Sequence, residues 1–169
     1  GEQHQLKTAI VNNVVDSYIN DKTTGTQVKK KSLAAAFMAK MGVDLQQAET
    51  MAAAAVSSID DSTPLDIMIL FKTNLATIQA ALGKETKALE GLLSMRELVS
   101  PYQGEYWFTL GQLYEQQNDS KNAMENYIQG LVAFENPKIK SAADALMKKN
   151  SIDSKELSEN ISRAKELLI

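Results

Sequence analysis

The chain has 169 residues, a formal net charge of −3, no cysteine and a single histidine, His4. Nucleic-acid binders usually carry a basic stripe, and this slightly acidic balance does not suggest one. Because the chain has no cysteine, and because its single histidine lies in a terminus that we expect to fray, thiol nucleophiles, Ser/His/Asp triads and histidine-rich metal sites cannot be assembled. We therefore expect no catalytic site, no metal, no cofactor and no nucleic-acid partner. The length fits one domain with a sizeable core.

The first 65 residues predict three helices. Apolar residues recur at every fourth position of the first one: Leu6, Ile10, Val14 and Tyr18. This helix should end within the polar run 20–25. A second helix covers residues 33–42, and a third begins near Asp44 and carries the Ala-rich run 51–56. The alanines and methionines of these two helices indicate close helix packing rather than a ligand pocket.

A polar segment, Asp60–Pro64, interrupts the helical pattern and starts the next helix. It predicts a weak boundary between an N-terminal helical segment (1–65) and a later part (66–169). We expect the two parts to pack as one unit, because no long polar linker separates them. The apolar run 65–71 is far shorter than a membrane span, so we expect no membrane insertion and a soluble protein.

Two charged clusters have ordinary structural explanations. Lys29–Lys31 fits the solvated start of a helix, since no aromatic residues for base stacking are interleaved with the lysines. Asp60, Asp61 and Asp66 form the densest acidic group. A loop followed by the first turn of a helix, where negative charge favours the helix dipole, explains them better than a catalytic pair of carboxylates.

The most informative stretch runs from Trp107 to Pro137. Four residues at i, i+3, i+4 and i+7 share one face of a helix: Trp107, Leu110, Gly111 and Tyr114. Three residues form a stripe on a second helix: Ala123, Tyr127 and Gly130. Small residues in both stripes allow the backbones to approach, and large ones fill the surrounding space. Between them, Asn118 can adopt a left-handed conformation and Asp119 or Ser120 can cap the second helix, which predicts a tight antiparallel hairpin.

These positions resemble the tetratricopeptide repeat, in which Trp, Leu-Gly and Tyr fall on the first helix of a hairpin and Ala and an aromatic residue on the second. A degenerate copy stands 35 residues earlier, at Leu75, Ala76, Gly83, Ala88 and Leu92. Downstream, 141–149 and 154–168 predict another hairpin, whose second helix opens with an Asp153…Glu156 capping box. That hairpin is either a worn repeat or a terminal cap. The resemblance implies an all-α fold, with antiparallel helical hairpins stacked as a short right-handed superhelix of about eight or nine helices.

The resemblance also implies a binding surface, because the first helices of stacked hairpins line a concave groove. The family's groove positions fall on eight residues of this chain: Leu70, Thr73, Thr77, Ala80, Glu105, Phe108, Gln112 and Glu115. The set is mildly apolar and acidic. It lacks the Asn, Lys and Arg with which chaperone-binding members hold a terminal carboxylate, which disfavours that class of partner. Either the groove is open to a ligand, or the N-terminal helices fill it.

We expect a non-catalytic helical repeat module that binds a protein or a peptide. The alternative is an accessory docking or dimerisation domain of a larger enzyme, exported to the periplasm if the source is bacterial. Two features motivate the alternative: the chain begins with Gly1 rather than Met, and it ends in the apolar run 167–169. The absence of cysteine suits both a reducing cytosol and an exported protein. The identity of the partner and the oligomeric state stay open.

Overall fold

The computed structural model describes residues 1–23, 25–151 and 154–167. Within these ranges the chain forms nine α-helices and one 3₁₀ turn, without any strand. The helices are α1 (Glu2–Asn20), α2 (Gln27–Met41), α3 (Leu45–Ser57), α4 (Leu65–Ala81), α5 (Glu85–Leu93), α6 (Gly104–Gln116), α7 (Ser120–Leu131), α8 (Pro137–Lys149) and α9 (Ser154–Glu166), with the 3₁₀ turn at Arg96–Leu98. The expected all-α class is confirmed. None of the described helices has the length and apolar character needed to cross a membrane.

The chain divides into two compact units, residues 1–91 and a second unit that starts at Leu92. The first unit contains α1 to α4 and most of α5, and α4 packs against α2 and α3. The sequence places the expected boundary near residue 65, before α4 rather than after it. The difference arises because α4 buries residues on several sides, among them Ile69, Phe71 and Ile78. A helix that is apolar over much of its circumference does not reveal from its own pattern which neighbour it joins.

Small side chains bring the helices of the first unit close together. Four alanines and a valine in or next to α2 and α3 are almost completely buried: Ala34, Ala35, Val43, Ala48 and Ala52. Between these helices Gly42 takes φ +67° and ends α2, and the Asp44 side chain accepts a hydrogen bond from the backbone N–H of Gln47 to open α3. The close packing expected from the Ala-rich sequence is therefore confirmed for α2 and α3.

Polar contacts attach α4 and the following turn to this core. The Asn74 amide of α4 donates to the Ser32 hydroxyl of α2 at 3.0 Å, and Ser32 is fully buried. After α4, Lys84 lies 2.7 Å from the Glu49 carboxylate of α3. Glu49 is mostly shielded from solvent and Lys84 is partly exposed. This ion pair therefore stabilises the fold more than a fully solvated pair would, although its contribution is still modest.

The second unit is built around the α6–α7 hairpin, and α8 and α9 pack against α7. Its core contains Leu110, Tyr127 and Ile139, which are fully buried. The turn follows the prediction from the sequence, because Asn118 takes φ +58° and the Asp119 side chain accepts from the backbone N–H of Asn122. Hydrogen bonds from Asn122 also lower the pKa of the Asp119 carboxyl. The antiparallel hairpin and its turn are thus confirmed.

The start of α8 is set by local chemistry. Asn136 accepts hydrogen bonds from the backbone N–H groups of Lys138 and Ile139, and Pro137 occupies the first helical turn. Proline suits that position because its missing N–H would have no partner inside the helix. The capping box expected before α9 involves Asp153, which lies outside the described residues.

Candidate functional site

The best-defined candidate site follows one side of α6. The predicted groove residues Glu105, Phe108, Gln112 and Glu115 are spaced three, four and three residues apart, which keeps them on one helix face. Glu105 is exposed, and the other three are half-buried. The four residues form the α6 row, a name used below for this set.

The side of α6 next to this row is sealed by close contact with α7. A Cβ atom added to Gly111 would lie 2.2 Å from Cε1 of Tyr127, closer than any real contact. A Cβ on Gly130 would lie 2.6 Å from Cδ1 of Ile139 and 3.0 Å from Cβ of Trp107. The seam of small residues expected from the sequence is therefore confirmed, and it fixes the rotation of α6 about its axis.

Trp107 has polar partners as well as a packing role. Its indole N–H donates to the Ser100 carbonyl at 2.9 Å, and the Arg96 guanidinium lies 5.2 Å from the ring centroid. Arg96 also donates to the buried amide oxygen of Asn126 at 2.6 Å. Arg96 thus links the 3₁₀ turn to α6 and α7, a contact with no signal in the hairpin pattern.

A hydrogen-bonded triad closes one end of the α6 row. The Tyr127 hydroxyl donates to the Glu115 carboxylate and accepts from the Gln112 side-chain amide, which also donates to Glu115 at 3.1 Å. Burial, together with the hydrogen bond to Glu115, raises the pKa of the Tyr127 hydroxyl far above its usual value. The phenol therefore stays neutral and holds both groove side chains in place.

Lys138, at the start of α8, covers the other end of the row. Its Nζ lies 3.2 Å from Oε2 of Glu105 and 4.2 Å from the centroid of the Phe108 ring. The carboxylate and the aromatic face thus hold a cation between them. Both charged partners are more than half exposed, so the ion pair contributes little to stability.

Sequence reasoning missed Lys138 and the hydroxyl of Tyr127 as parts of this site. A signal for Tyr127 exists in the residue type. Phenylalanine would pack against Gly111 equally well, and a buried tyrosine hydroxyl usually has a hydrogen-bond partner. No comparable signal exists for Lys138, because its position depends on how α8 returns towards α6.

The other four predicted groove residues lie on α4, in the first unit. Leu70 and Ala80 are half-buried and Thr77 is exposed, with its hydroxyl donating to the Thr73 carbonyl at 3.0 Å. The Thr73 side chain is buried, and its hydroxyl finds no hydrogen-bond partner among the described residues. Each set of four therefore lies within its own unit, and Thr73 does not offer its side chain to solvent.

A second depression lies in the second unit, among α7, α8 and α9. This cleft has a volume of about 660 Å³, and its apolar lining comes from Met124, Ile128, Met147 and Leu157. Charged groups of both signs, including Arg96, Lys121 and Glu125, stand around it. The mixed rim does not define a ligand class.

Within residues 1–23, 25–151 and 154–167, no three His, Cys, Asp or Glu side chains come together in a group that could hold a metal ion.

Neither protein-family models, nor curated proteins, nor solved structures gave a match to this chain. The resemblance to tetratricopeptide repeats therefore rests on the residues themselves. The strongest part is the α6–α7 pair, where Gly111 and Tyr127 meet.

Proposed function

We propose that this chain is a non-catalytic helical repeat module that binds a protein or peptide along the α6 row. It follows the plan of tetratricopeptide proteins, with α6–α7 as the clearest hairpin, α8–α9 as the terminal one, and α4–α5 as an earlier, degenerate repeat of a right-handed stack. In this proposal the first helix of each hairpin contributes to the groove.

The observation that carries the proposal is the cation held between Glu105 and Phe108. The Nζ atom of Lys138 contacts both groups, at 3.2 Å from the Glu105 carboxylate and 4.2 Å from the centroid of the Phe108 ring. A lysine or arginine of a ligand offers the same chemistry. Because the ion pair of Lys138 is exposed and weak, an incoming cation can displace it at small cost.

The triad supplies the second element of recognition. Gln112 and Glu115 are held by Tyr127 and remain half-buried, so their positions are set before a ligand arrives. Preorganised polar groups beside an apolar anchor favour an extended peptide that carries a basic residue followed by backbone or side-chain donors. The proposed ligand is therefore a basic peptide segment with an apolar neighbour. Within the first unit, Leu70, Thr77 and Ala80 of α4 occupy the corresponding positions of the proposed earlier repeat.

The test is a selection from a random peptide library on the immobilised full chain, followed by affinity measurements on selected peptides by fluorescence polarisation. We expect enrichment of Lys or Arg beside an apolar residue. Phe108→Ala should weaken binding by about 10-fold or more, and Glu105→Gln by about 3-fold, with the latter effect fading at high salt. Gln112→Ala should also weaken binding, whereas Lys138→Ala should strengthen it.

Two matched variants separate binding from folding. Phe134→Ala removes another partly exposed phenylalanine, and Glu97→Gln removes another exposed carboxylate, both outside the α6 row. Neither should change peptide affinity, and fluorescence of the only tryptophan, Trp107, reports whether the second unit stays folded. Failure to select any peptide, or equal binding by the Phe108→Ala chain, would contradict the proposal.

A further inference from the structure

The proposed function leaves the exposed apolar face of the α1–α2 hairpin unexplained. Four α1 residues at successive fourth positions are strongly exposed, with relative exposures of 63% for Leu6, 54% for Ile10, 50% for Val14 and 38% for Tyr18. Helix α1 packs against its own unit chiefly through Val11 and Val15, which are buried. The apolar ridge therefore faces away from the core to which α1 belongs.

Helix α2 widens this face. Leu33 and Phe37 are each more than one-third exposed, and an apolar cleft of about 260 Å³ lies between the two helices. The cleft is lined by six residues: Val14, Val15, Tyr18, Leu33, Ala34 and Phe37. The face thus combines a protruding ridge, highest at Leu6, with a cleft at the opposite end of α1.

We propose that this α1–α2 face binds the same face of a second copy, so that the chain forms an antiparallel homodimer. The four ridge residues are evenly spaced from either end, so the two-fold axis of the dimer passes between Ile10 and Val14. Leu6 of each copy then meets Tyr18 and the apolar cleft of the other, while Ile10 meets Val14. Such reciprocal pairing is what a symmetric, isologous interface requires.

The area of the face suits a stable dimer. If each of these large apolar side chains has a full area of roughly 150–250 Å², the exposed fractions of the four ridge residues, Leu33 and Phe37 add up to roughly 500 Å². In a homodimer interface that is about 65% apolar, this corresponds to roughly 800 Å² for each copy, which is the standard size of a specific interface. Packing of two i, i+4 ridges is also the commonest helix crossing in globular proteins.

Charges at the two ends favour the antiparallel orientation. Glu2 precedes Leu6 by four residues and Lys22 follows Tyr18 by four residues, and both are exposed. Antiparallel pairing brings Glu2 of one copy towards Lys22 of the other, whereas parallel pairing brings like charges together. A membrane surface fits less well, because Lys7 is the only lysine on α1 and amphipathic membrane helices are usually rich in basic residues.

This dimer lies in the first unit and does not depend on the α6 row, so either proposal can fail without the other. It gives a location to dimerisation, which the sequence left open as one role of the chain.

The first test is sedimentation of the full chain over a range of concentrations. We expect a reversible dimer, and Ile10→Asp should raise its dissociation constant by about 100-fold because it buries a carboxylate in the seam. Leu98→Asp places the same charge on another exposed leucine, in the second unit, and should leave dimerisation unchanged. A wild-type chain that stays monomeric at about 100 μM would overturn the proposal, since interfaces of this size bind in the micromolar range or tighter.

The second test fixes the orientation and uses the absence of native cysteine. Leu6→Cys and Tyr18→Cys proteins are oxidised separately and as a mixture. We expect disulfide-linked dimers chiefly in the mixture, because in the antiparallel pair two copies of position 6 are about 18 Å apart along the helix axis. Predominant self-crosslinking of either single variant would overturn the antiparallel arrangement. Binding of a monomeric chain to anionic phospholipid vesicles would instead assign the face to a lipid surface.

Discussion

The α6–α7 hairpin buries the apolar stripe of its first helix, whereas the α1–α2 hairpin leaves the stripe of its first helix exposed. In α6 the stripe combines spacings of three and four residues and stays on one side, and Gly111 brings it against Tyr127. In α1 the spacing is four throughout, so each step turns about 40° further around the helix. The ridge that this produces lies beside the row of Val11 and Val15, which face the core, and its exposed fraction falls from 63% at Leu6 to 38% at Tyr18. Periodicity thus shows that a face is apolar, but not what covers it.

The largest effect should come from filling the close contact in α6–α7. Gly111→Ala should lower the free energy of unfolding of the second unit by about 2–3 kcal/mol, because the new methyl group meets the fully buried Tyr127 ring and outweighs the gain in helix propensity. Denaturant titration followed by Trp107 fluorescence measures this change.

Gly91→Ala is the matched control for that contact. An added Cβ at Gly91 meets nothing within 4 Å, so the same substitution in α5 should be neutral or should stabilise by up to about 1 kcal/mol. If both substitutions had the same effect, the contact between Gly111 and Tyr127 would not be the feature that holds the hairpin together.

An intermediate effect should distinguish the two sides of α1. Val11 is 2% exposed and Val14 is 50% exposed, on the same helix and with the same side chain. Val11→Ala should cost about 1.5–2 kcal/mol of unfolding free energy, and Val14→Ala should stay within about 0.5 kcal/mol. Urea titration monitored by circular dichroism, at a protein concentration low enough to keep the chain monomeric, measures both.

The outcome of this pair also bears on the orientation of α1. A larger loss for Val14→Ala than for Val11→Ala under monomeric conditions would mean that the ridge, and not the side that carries Val11, packs into the first unit. The α1–α2 face would then be unavailable to a second copy.

The smallest effect concerns Tyr106, whose hydroxyl donates to the Leu92 carbonyl at 2.7 Å. Burial raises the pKa of Tyr106 to about 12. Above pH 10 the unfolded chain loses the phenolic proton while the folded chain keeps it, so the stability contributed by Tyr106 is complete below pH 10 and declines as the pH rises towards 12. Tyr106→Phe should therefore be less stable than wild type near neutral pH, by about 1 kcal/mol, with the gap narrowing in alkali.

Guanidinium titrations at about pH 8 and about pH 11 test this expectation. Tyr102→Phe is the control, because Tyr102 is strongly exposed, and it should change neither value. A gap between wild type and Tyr106→Phe that stays constant over this range would contradict the role of burial.

Local chemistry made the elements of this fold predictable. The turn at Asn118 and Asp119 and the end of α2 at Gly42 were expected because left-handed conformations and side-chain caps depend on a few adjacent residues. The residues of the α6 row came from the resemblance to tetratricopeptide repeats, and helix geometry then places Phe108 and Gln112 on one side of α6.

The partners of that row were not predictable. Lys138 reaches Phe108 from a helix 30 residues away, and the Tyr127 hydroxyl reaches Glu115 from across the hairpin. Such contacts depend on how complete helices pack, and the pattern of a single helix does not contain that information. The packing of complete helices also explains why α4 contacts α2 and α3. The degenerate repeat in the sequence had instead paired α4 with α5.

The sequence by itself determined that this chain is helical, where most of its helices begin or end, and that α6 and α7 fold against each other. These features follow from periodicity, caps and small residues, which act over short distances. Only the tertiary structure decided which apolar stripe is buried and which is exposed. A helix has several faces that could pack, and the choice among them depends on the combined shape of neighbours far away in the chain.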